Sequence, residues 1–374
     1  MKKIRILEAI RQGKIGGGET HVLELVSTID KSVFEPIVLS FTPGPMVDEL
    51  KRIGIEVHVI ETERGFDRKV WKKVRHLAQE LKIDIIHAHG TRANSNVFMA
   101  ARSLGVPLIY TIHGWSFHRD QSLPVRMVRE MSERFLTSVS ASNICVSFSN
   151  QQDGITGWKM KRSSVIYNGI NTSKFNPAGT YRDVRKELGI PGGKTVAGFI
   201  VRMTIQKDPF TLIRAMKIVK EKCSEIVLLM IGEGDLKDEA VTMAKKLDLT
   251  DTVIFENFRQ DVPDVLNAID IYCLPSLWEG LPIGILEAMS MGKPVVATPV
   301  DGTREIITNG ENGILIPVGD EKTLAEAILT LHYDPEMRKR ISEKAIVTIR
   351  ERFSVDHMVR QIEDHYGMIV NKRK

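Results

Sequence analysis

The chain has 374 residues, 43% hydrophobic and 26% charged, without low-complexity tracts, which excludes a disordered or fibrous protein and suggests two domains rather than one. No apolar run approaches the roughly 18 residues of a membrane-spanning helix, and Arg5 and Glu8 interrupt what would be a signal peptide's apolar region. Net charge is +5, but residues 1–180 hold 25 Lys and Arg against 17 Asp and Glu, while residues 181–374 hold 27 against 30. A basic first half suits an anionic partner, either a membrane surface or an anionic acceptor.

In chain order, strand-sized apolar runs alternate with helical patterns, the signature of βαβ units and parallel sheets. Strands are expected at 4–9, 36–40, 57–60, 83–87, 107–111, 144–146 and 165–167. The spacing of Val70, Val74, Leu77 and Leu81 predicts a helix over 70–81. The turn-rich stretch NGINTSKFNPA at 168–178 marks a domain boundary. A second series of strands follows at 195–200, 226–231, 253–255, 271–274, 294–297 and 313–316, and from Leu324 the pattern is helical. The expected domains are 1–170 and 171–355, with a last helix of about 356–374 packing back on the first. Cys145, Cys223 and Cys273 are far apart with no C-x-x-C spacing, which supports neither a disulfide framework nor a zinc site and suits a reducing cytoplasm.

Ligands of doubly wound sheets bind where strands end at their carboxyl side, and each chemical motif follows a strand. In GKIGGGETH, residues 13–21, consecutive glycines, Gly17 and Gly18 among them, let backbone N–H groups approach an anion at a helix N-terminus. The spacing is not G-x-G-x-x-G, which argues against a dinucleotide fold. His113 ends a strand, where an imidazole can hydrogen-bond a sugar hydroxyl or an anion, although a buried structural histidine is the commoner outcome. His87 and His89 share a strand face as a metal pair would, but no third ligand is apparent.

In the second half, Arg202 and Lys207 share the loop after strand 195–200, before a helix starting at Pro209. Two such cations can neutralise a diphosphate; solvated surface charges are the plainer alternative. The stretch IYCLPSLWEGLPIGILEAMSMGKPVVAT, 271–298, reads as strand, loop, helix and strand. A helix beginning near Pro282 would aim the N–H groups of Gly280 and Leu281 at a ligand. Glu279 can accept hydrogen bonds from sugar hydroxyls and Glu287 from a ribose diol. Gly302 ends another strand and is expected to complete the pocket wall.

Together these motifs resemble the retaining GT-B glycosyltransferases of the family-four type (glycosyl transferases group 1), over nearly the whole chain and in the family's order. The match runs from GGGETH through TIHG, VIYNGIN, GFIVRMTIQKDP, IGEGDL and FENFRQDVP to CLPSLWEGLPIGILEAMSMGKPVVAT, DGTREII and NGENGILIPVGD. The spacing Glu279-x7-Glu287 is its most specific mark. The resemblance implies an α/β GT-B fold, two doubly wound Rossmann-like domains facing across a cleft, the first on the acceptor side and the second binding a nucleotide-diphosphate sugar. It implies that Arg202 and Lys207 bind the donor diphosphate, Glu279 lies near the donor sugar, Glu287 on the ribose and His113 beside the transferred sugar. It places Gly17 and Gly18 near the phosphates and acceptor, and Arg259 beside the nucleobase. Asp301-Gly302 stands where many relatives have two glycines, and Arg304 where proline is common, which bears on sugar selectivity.

The expected reaction is retaining transfer from a UDP- or GDP-type sugar to a glycan or lipid-linked acceptor in envelope polysaccharide or glycolipid synthesis. An epimerase or hydrolase of the same architecture is the alternative. No D-x-D pair occurs, so protein cations are expected to replace a metal, and no cofactor or nucleic acid is implied. On helix 67–81, Lys69, Lys72 and Lys73, flanked by Arg68 and Arg75, oppose the apolar face; Arg126, Arg129 and Arg134 add charge. An anionic membrane surface, and a cytoplasmic protein peripheral on the inner face of the membrane, are expected from this.

Overall fold

The computed structural model describes residues 3–13, 16–117 and 121–371. Lys14 and Ile15 of the glycine loop and positions 372–374 of the expected last helix lie outside the described residues. The chain divides into two compact units: one takes in the residues up to Gly169 and those from Val355 onward, the other is Ile170–Ser354.

The first unit contains β1 (Ile4–Ile10), β2 (Phe34–Ser40), β3 (Val57–Val59), β4 (Ile85–His89), β5 (Leu108–Ile112), β6 (Ser142–Cys145) and β7 (Ser163–Val165). They form one parallel sheet in the order β3-β2-β1-β4-β5-β6-β7. Strand periodicity of two assigns side chains to its faces. Leu7, Ala9, Ile86, Ala88, Leu108 and Tyr110 enter one apolar cluster, against which the helix Arg68–Glu80 buries Val70 and Val74. Ile6, Ile85, Ile109 and Ile144 enter another, covered by Val355, Met358, Val359, Ile362 and Tyr366 of the helix Val355–Asn371. Each such side chain contributes about 1.5–3 kcal/mol by leaving water. Towards the carboxyl ends of the strands the second face turns polar: Glu8, His87 and His89 continue the rows begun by Ile6 and Ile85.

The second unit contains β8 (Thr195–Ile200), β9 (Ile226–Ile231), β10 (Val253–Glu256), β11 (Ile271–Leu274), β12 (Val295–Ala297) and β13 (Ile314–Leu315). Their order is β10-β9-β8-β11-β12-β13, again parallel. In both sheets the strand order reverses once, between β1 and β4 and between β8 and β11. That reversal opens the crevice where ligands of such folds bind.

Several strands differ from the sequence expectation at their edges. β4 covers 85–89 rather than 83–87, and β6 and β7 each start two residues earlier than their apolar runs. Ser142, Asn143, Ser163 and Ser164 pair through backbone groups, which side-chain hydropathy does not report. The three cysteines are buried free thiols, and burial pushes Cys145 and Cys273 up to about 12.

Candidate active site

In the second unit, β8 delivers the chain into a 3-10 turn, Ile205–Lys207. Asp208 then adopts a left-handed conformation (φ 47°) and caps the helix Pro209–Lys222 by accepting from the Thr211 N–H (3.1 Å) and hydroxyl (2.6 Å). This turn is fastened to the loop after β11. Leu277 N–H donates to the Gln206 carbonyl (2.8 Å), and Gln206 Nε2 donates to the Trp278 carbonyl (2.9 Å). The result places Lys207 Nζ 2.5 Å from Glu279 Oε1, which also accepts from Ser276 Oγ at 2.6 Å. Lys207 and Glu279 therefore form a shielded ion pair, with side chains 18% and 5% exposed.

Arg202, on the same loop, is largely exposed and lies 3.2 Å from Asp235. The helix Ile283–Ser290 starts one residue later than expected, with Pro282 as its cap. Its first amides without an intrahelical partner are those of Ile283 and Gly284. Leu281 is buried, and the Gly280 carbonyl accepts from Gly302 N–H at 3.0 Å. A Cβ on Gly302 would stand 2.2 Å from that carbonyl oxygen, so only glycine fits there. Asp301 precedes it at φ 39°, and its carboxylate accepts the Glu279 N–H at 2.7 Å. The departure from the two-glycine pattern thus positions the acid next to it in space.

Glu287 is half-buried on the same helix. Burial, then Glu287, then Glu279 push the Tyr272 hydroxyl well above the usual phenol range. Arg259 is the residue expected beside a base. Its guanidinium bonds Asp261 and Glu187, which raises its pKa and ties the short helix Val184–Glu187 to the loop after β10.

In the first unit, Gly17 and Gly18 are the first two residues of the helix Gly17–Thr28. A Cβ on Gly18 would lie 3.5 Å from the His113 ring, so the glycine loop and His113 meet. His113 Nε2 is 3.2 Å from His89 Nδ1, whose own Nε2 is 2.8 Å from Glu8 Oε2. Tyr366 donates to Glu8 Oε1 (2.7 Å), and the two nitrogens of His87 lie 2.6 Å from Tyr366 and from Thr111. Burial holds His113 well below the usual imidazole range, with His21 and His89 adding to the effect, so its ring is neutral at pH 7. Burial would raise Glu8, but the adjacent His87 and His89 hold it well below the carboxylate range.

His21 is a residue the sequence reading passed over. It joins this cluster, with ring centroids 4.9 Å from His113 and 5.3 Å from His89. Only its occurrence inside GGGETH hinted at this, since nothing in the spacing links it to residues 89 or 113.

Two parallel sheets, each with charged groups at its switch point, define a two-domain Rossmann-like GT-B fold. Family models agree: that for Glycosyltransferase Family 4 matches residues 15–174, and that for Glycosyl transferases group 1 matches residues 181–348. The chain belongs to the family-four type of GT-B glycosyltransferases. It is 29% identical over 99% of its length, and 98% of the relative's, to the Escherichia coli UDP-Gal:alpha-D-GlcNAc-diphosphoundecaprenol alpha-1,3-galactosyltransferase. It is 27% identical to the Bacillus anthracis N-acetyl-alpha-D-glucosaminyl L-malate synthase, covering 83% of this chain and 81% of that one. The crystal structure of Anabaena Alr3699/HepE in complex with UDP-glucose superposes with a TM-score of 0.85 at 25% identity, over 98% of this chain and all of that one.

Proposed function

We propose that this glycosyltransferase moves a sugar from a UDP- or GDP-type donor to a hydroxyl of a lipid-linked or envelope-polysaccharide acceptor, with retention and without a divalent metal. The observation that carries this reading is the fastening of Lys207 to Glu279 beside Arg202, across the β8/β11 switch point. The relative from Escherichia coli uses UDP-Gal and a diphosphoundecaprenol-linked acceptor, and UDP-glucose occupies the Anabaena structure, which favours UDP here.

In the proposed reaction the bond from the anomeric carbon to the diphosphate oxygen breaks, leaving the electron pair on the diphosphate. The acceptor oxygen bonds to the same face of that carbon, and its proton passes to the departing diphosphate. Arg202, Lys207 and the amides of Ile283 and Gly284 hold the growing negative charge, so they favour the transition state over the ground state. Glu279 orients Lys207 and meets the sugar, Glu287 takes the ribose diol, and neutral His113 lies beside the transferred sugar. No pair of acids flanking the sugar is needed, unlike in a glycosidase.

A second helix of the first unit offers a more specific membrane surface. The helix Leu123–Val139 exposes Leu123, Met127, Val128 and Met131, each more than 60% accessible, beside Arg129 and Arg134. An apolar and basic face suits insertion among anionic headgroups better than the lysines of Arg68–Glu80 alone. We place this face on the inner leaflet, where a lipid-linked acceptor would be met.

The test is incubation with UDP-, GDP- and ADP-sugars, with and without lipid-linked acceptor, in excess EDTA. The expected result is acceptor-dependent release of one nucleoside diphosphate and a product whose anomeric configuration, read by NMR, matches the donor. Release without acceptor would replace transfer by hydrolysis, and an absolute need for Mg²⁺ or Mn²⁺ would overturn the metal-free clause.

A further inference from the structure

We propose that His21, His89 and His113 form a binding site for a first-row transition metal ion, with Zn²⁺ as the physiological candidate, and that its occupation inhibits sugar transfer. One ring nitrogen of each lies within 4.8 Å of those of the other two. His89 Nδ1 and His113 Nε2 are 3.2 Å apart, about the separation of two ligands on a tetrahedral ion with bonds of about 2.0–2.1 Å. Three imidazoles suit zinc, copper or nickel rather than magnesium or calcium.

Groups behind two of the three rings, those of His21 and His89, already hold them as ligands need to be held. His21 Nδ1 is 3.0 Å from Asn168 Oδ1. With that nitrogen donating, Nε2 carries the lone pair, and it is buried with no protein partner. His89 Nε2 rests on Glu8, which turns the lone pair of Nδ1 towards His113 and supplies an anion one ring behind the ion. Such carboxylate–histidine and amide–histidine contacts orient metal ligands. A second trio, Glu8, His87 and His89, is a poorer site, because its ring nitrogens and carboxylate oxygens already have partners. Of the three proposed ligands His113 is the one that reaches solvent, so a fourth position would open on its side.

Binding would exchange the His89–His113 hydrogen bond for two metal bonds and hold the His113 ring on the ion rather than beside the sugar. The metal site stands on geometry alone; only the inhibition rests on the role proposed above for His113.

The test uses the full-length chain, stripped with EDTA and dialysed, then titrated with Co²⁺ and Zn²⁺. One equivalent of Co²⁺ is expected to give visible absorption of a nitrogen-ligated tetrahedral ion, displaced by Zn²⁺. That spectrum should vanish in His21→Ala and His21→Gln, while Asn168→Ala should weaken zinc about 10–100-fold. Matching thermal unfolding midpoints separate ligand loss from misfolding. Zinc should suppress wild-type turnover far more than that of either His21 variant relative to its own zinc-free rate. An unchanged cobalt spectrum in folded His21 variants, or no saturable one-to-one binding, would overturn the site. Binding with full turnover would overturn the inhibition and count against His113 at the sugar, leaving the metal site in place.

Discussion

Lys207 and Glu279 stand 72 positions apart in the chain and 2.5 Å apart in space, and this contact changes what a substitution at either reports. From sequence, Lys207→Ala is expected to keep the fold and lose transfer. In the structure it strands a carboxylate whose remaining side-chain partners are Ser276 and Gln206. Breaking a shielded pair from one side costs about 3–5 kcal/mol. Lys207→Ala should therefore lower both stability and turnover, the latter by about 10²–10³. Lys207→Ala combined with Glu279→Gln should regain most of the stability in denaturant titration but little of the turnover. Near wild-type turnover in the double variant would remove Lys207 from the chemistry. The residue types were legible from sequence because cations and acids after parallel strands have few structural uses. Their pairing was not, since it depends on the Gln206 and Leu277 backbone contacts that only the folded loops create.

At the scale of single elements, the helix Leu123–Val139 is held from within by one acid. Glu133 accepts from Tyr110 (2.9 Å), Thr91 (2.6 Å) and the Ser116 N–H (3.3 Å). Burial nonetheless keeps its carboxyl above the ordinary range, because the hydrogen bonds only partly offset the loss of water. The folded state thus holds this proton more tightly than the unfolded chain. Its contribution to stability is full below the ordinary carboxylate range and is lost as pH rises through the folded value. Glu133→Gln should remove that decline, up to about 1.4 kcal/mol per pH unit within the window. Urea titrations from pH 4 to 8 check it, and an unchanged slope would show that Glu133 is not its source. The outer face of the same helix makes a separate prediction. Met127→Glu with Met131→Glu should abolish co-sedimentation with anionic liposomes at low salt and spare transfer to a soluble acceptor. Equal sedimentation of variant and wild type would remove this helix from the membrane. Sequence reading favoured the lysines of Arg68–Glu80, since charge is countable along a chain whereas an unpaired apolar face is known only once neighbours are in place.

For the whole molecule, the alternation of apolar runs and helical periods made both sheets legible, down to the exact bounds of β8, β9 and β11. The return of the last helix to the first domain was legible too; what was hidden is which side chains of Val355–Asn371 cover the sheet. Removing that helix would take away Val355, Met358, Val359, Ile362 and Tyr366 and uncover Ile6, Ile85, Ile109 and Ile144, a loss on the order of 10 kcal/mol, comparable to the whole stability of a typical domain. A chain ending at Ser354 should show protected amides in Ile170–Ser354 and none in the first unit by hydrogen exchange. Protection of β1 and β4 in that truncation would contradict the dependence of the first unit on that helix.

The same feature sets an order of assembly. Ile170–Ser354 is continuous in the chain and can close its sheet as soon as the ribosome has released it. The β1–β7 sheet must wait with one apolar face and Glu8 uncovered until Tyr366 emerges. During that interval the nascent chain carries a finished module attached to an unfinished partner, so chaperone demand should concentrate on the segment made first rather than the segment made last.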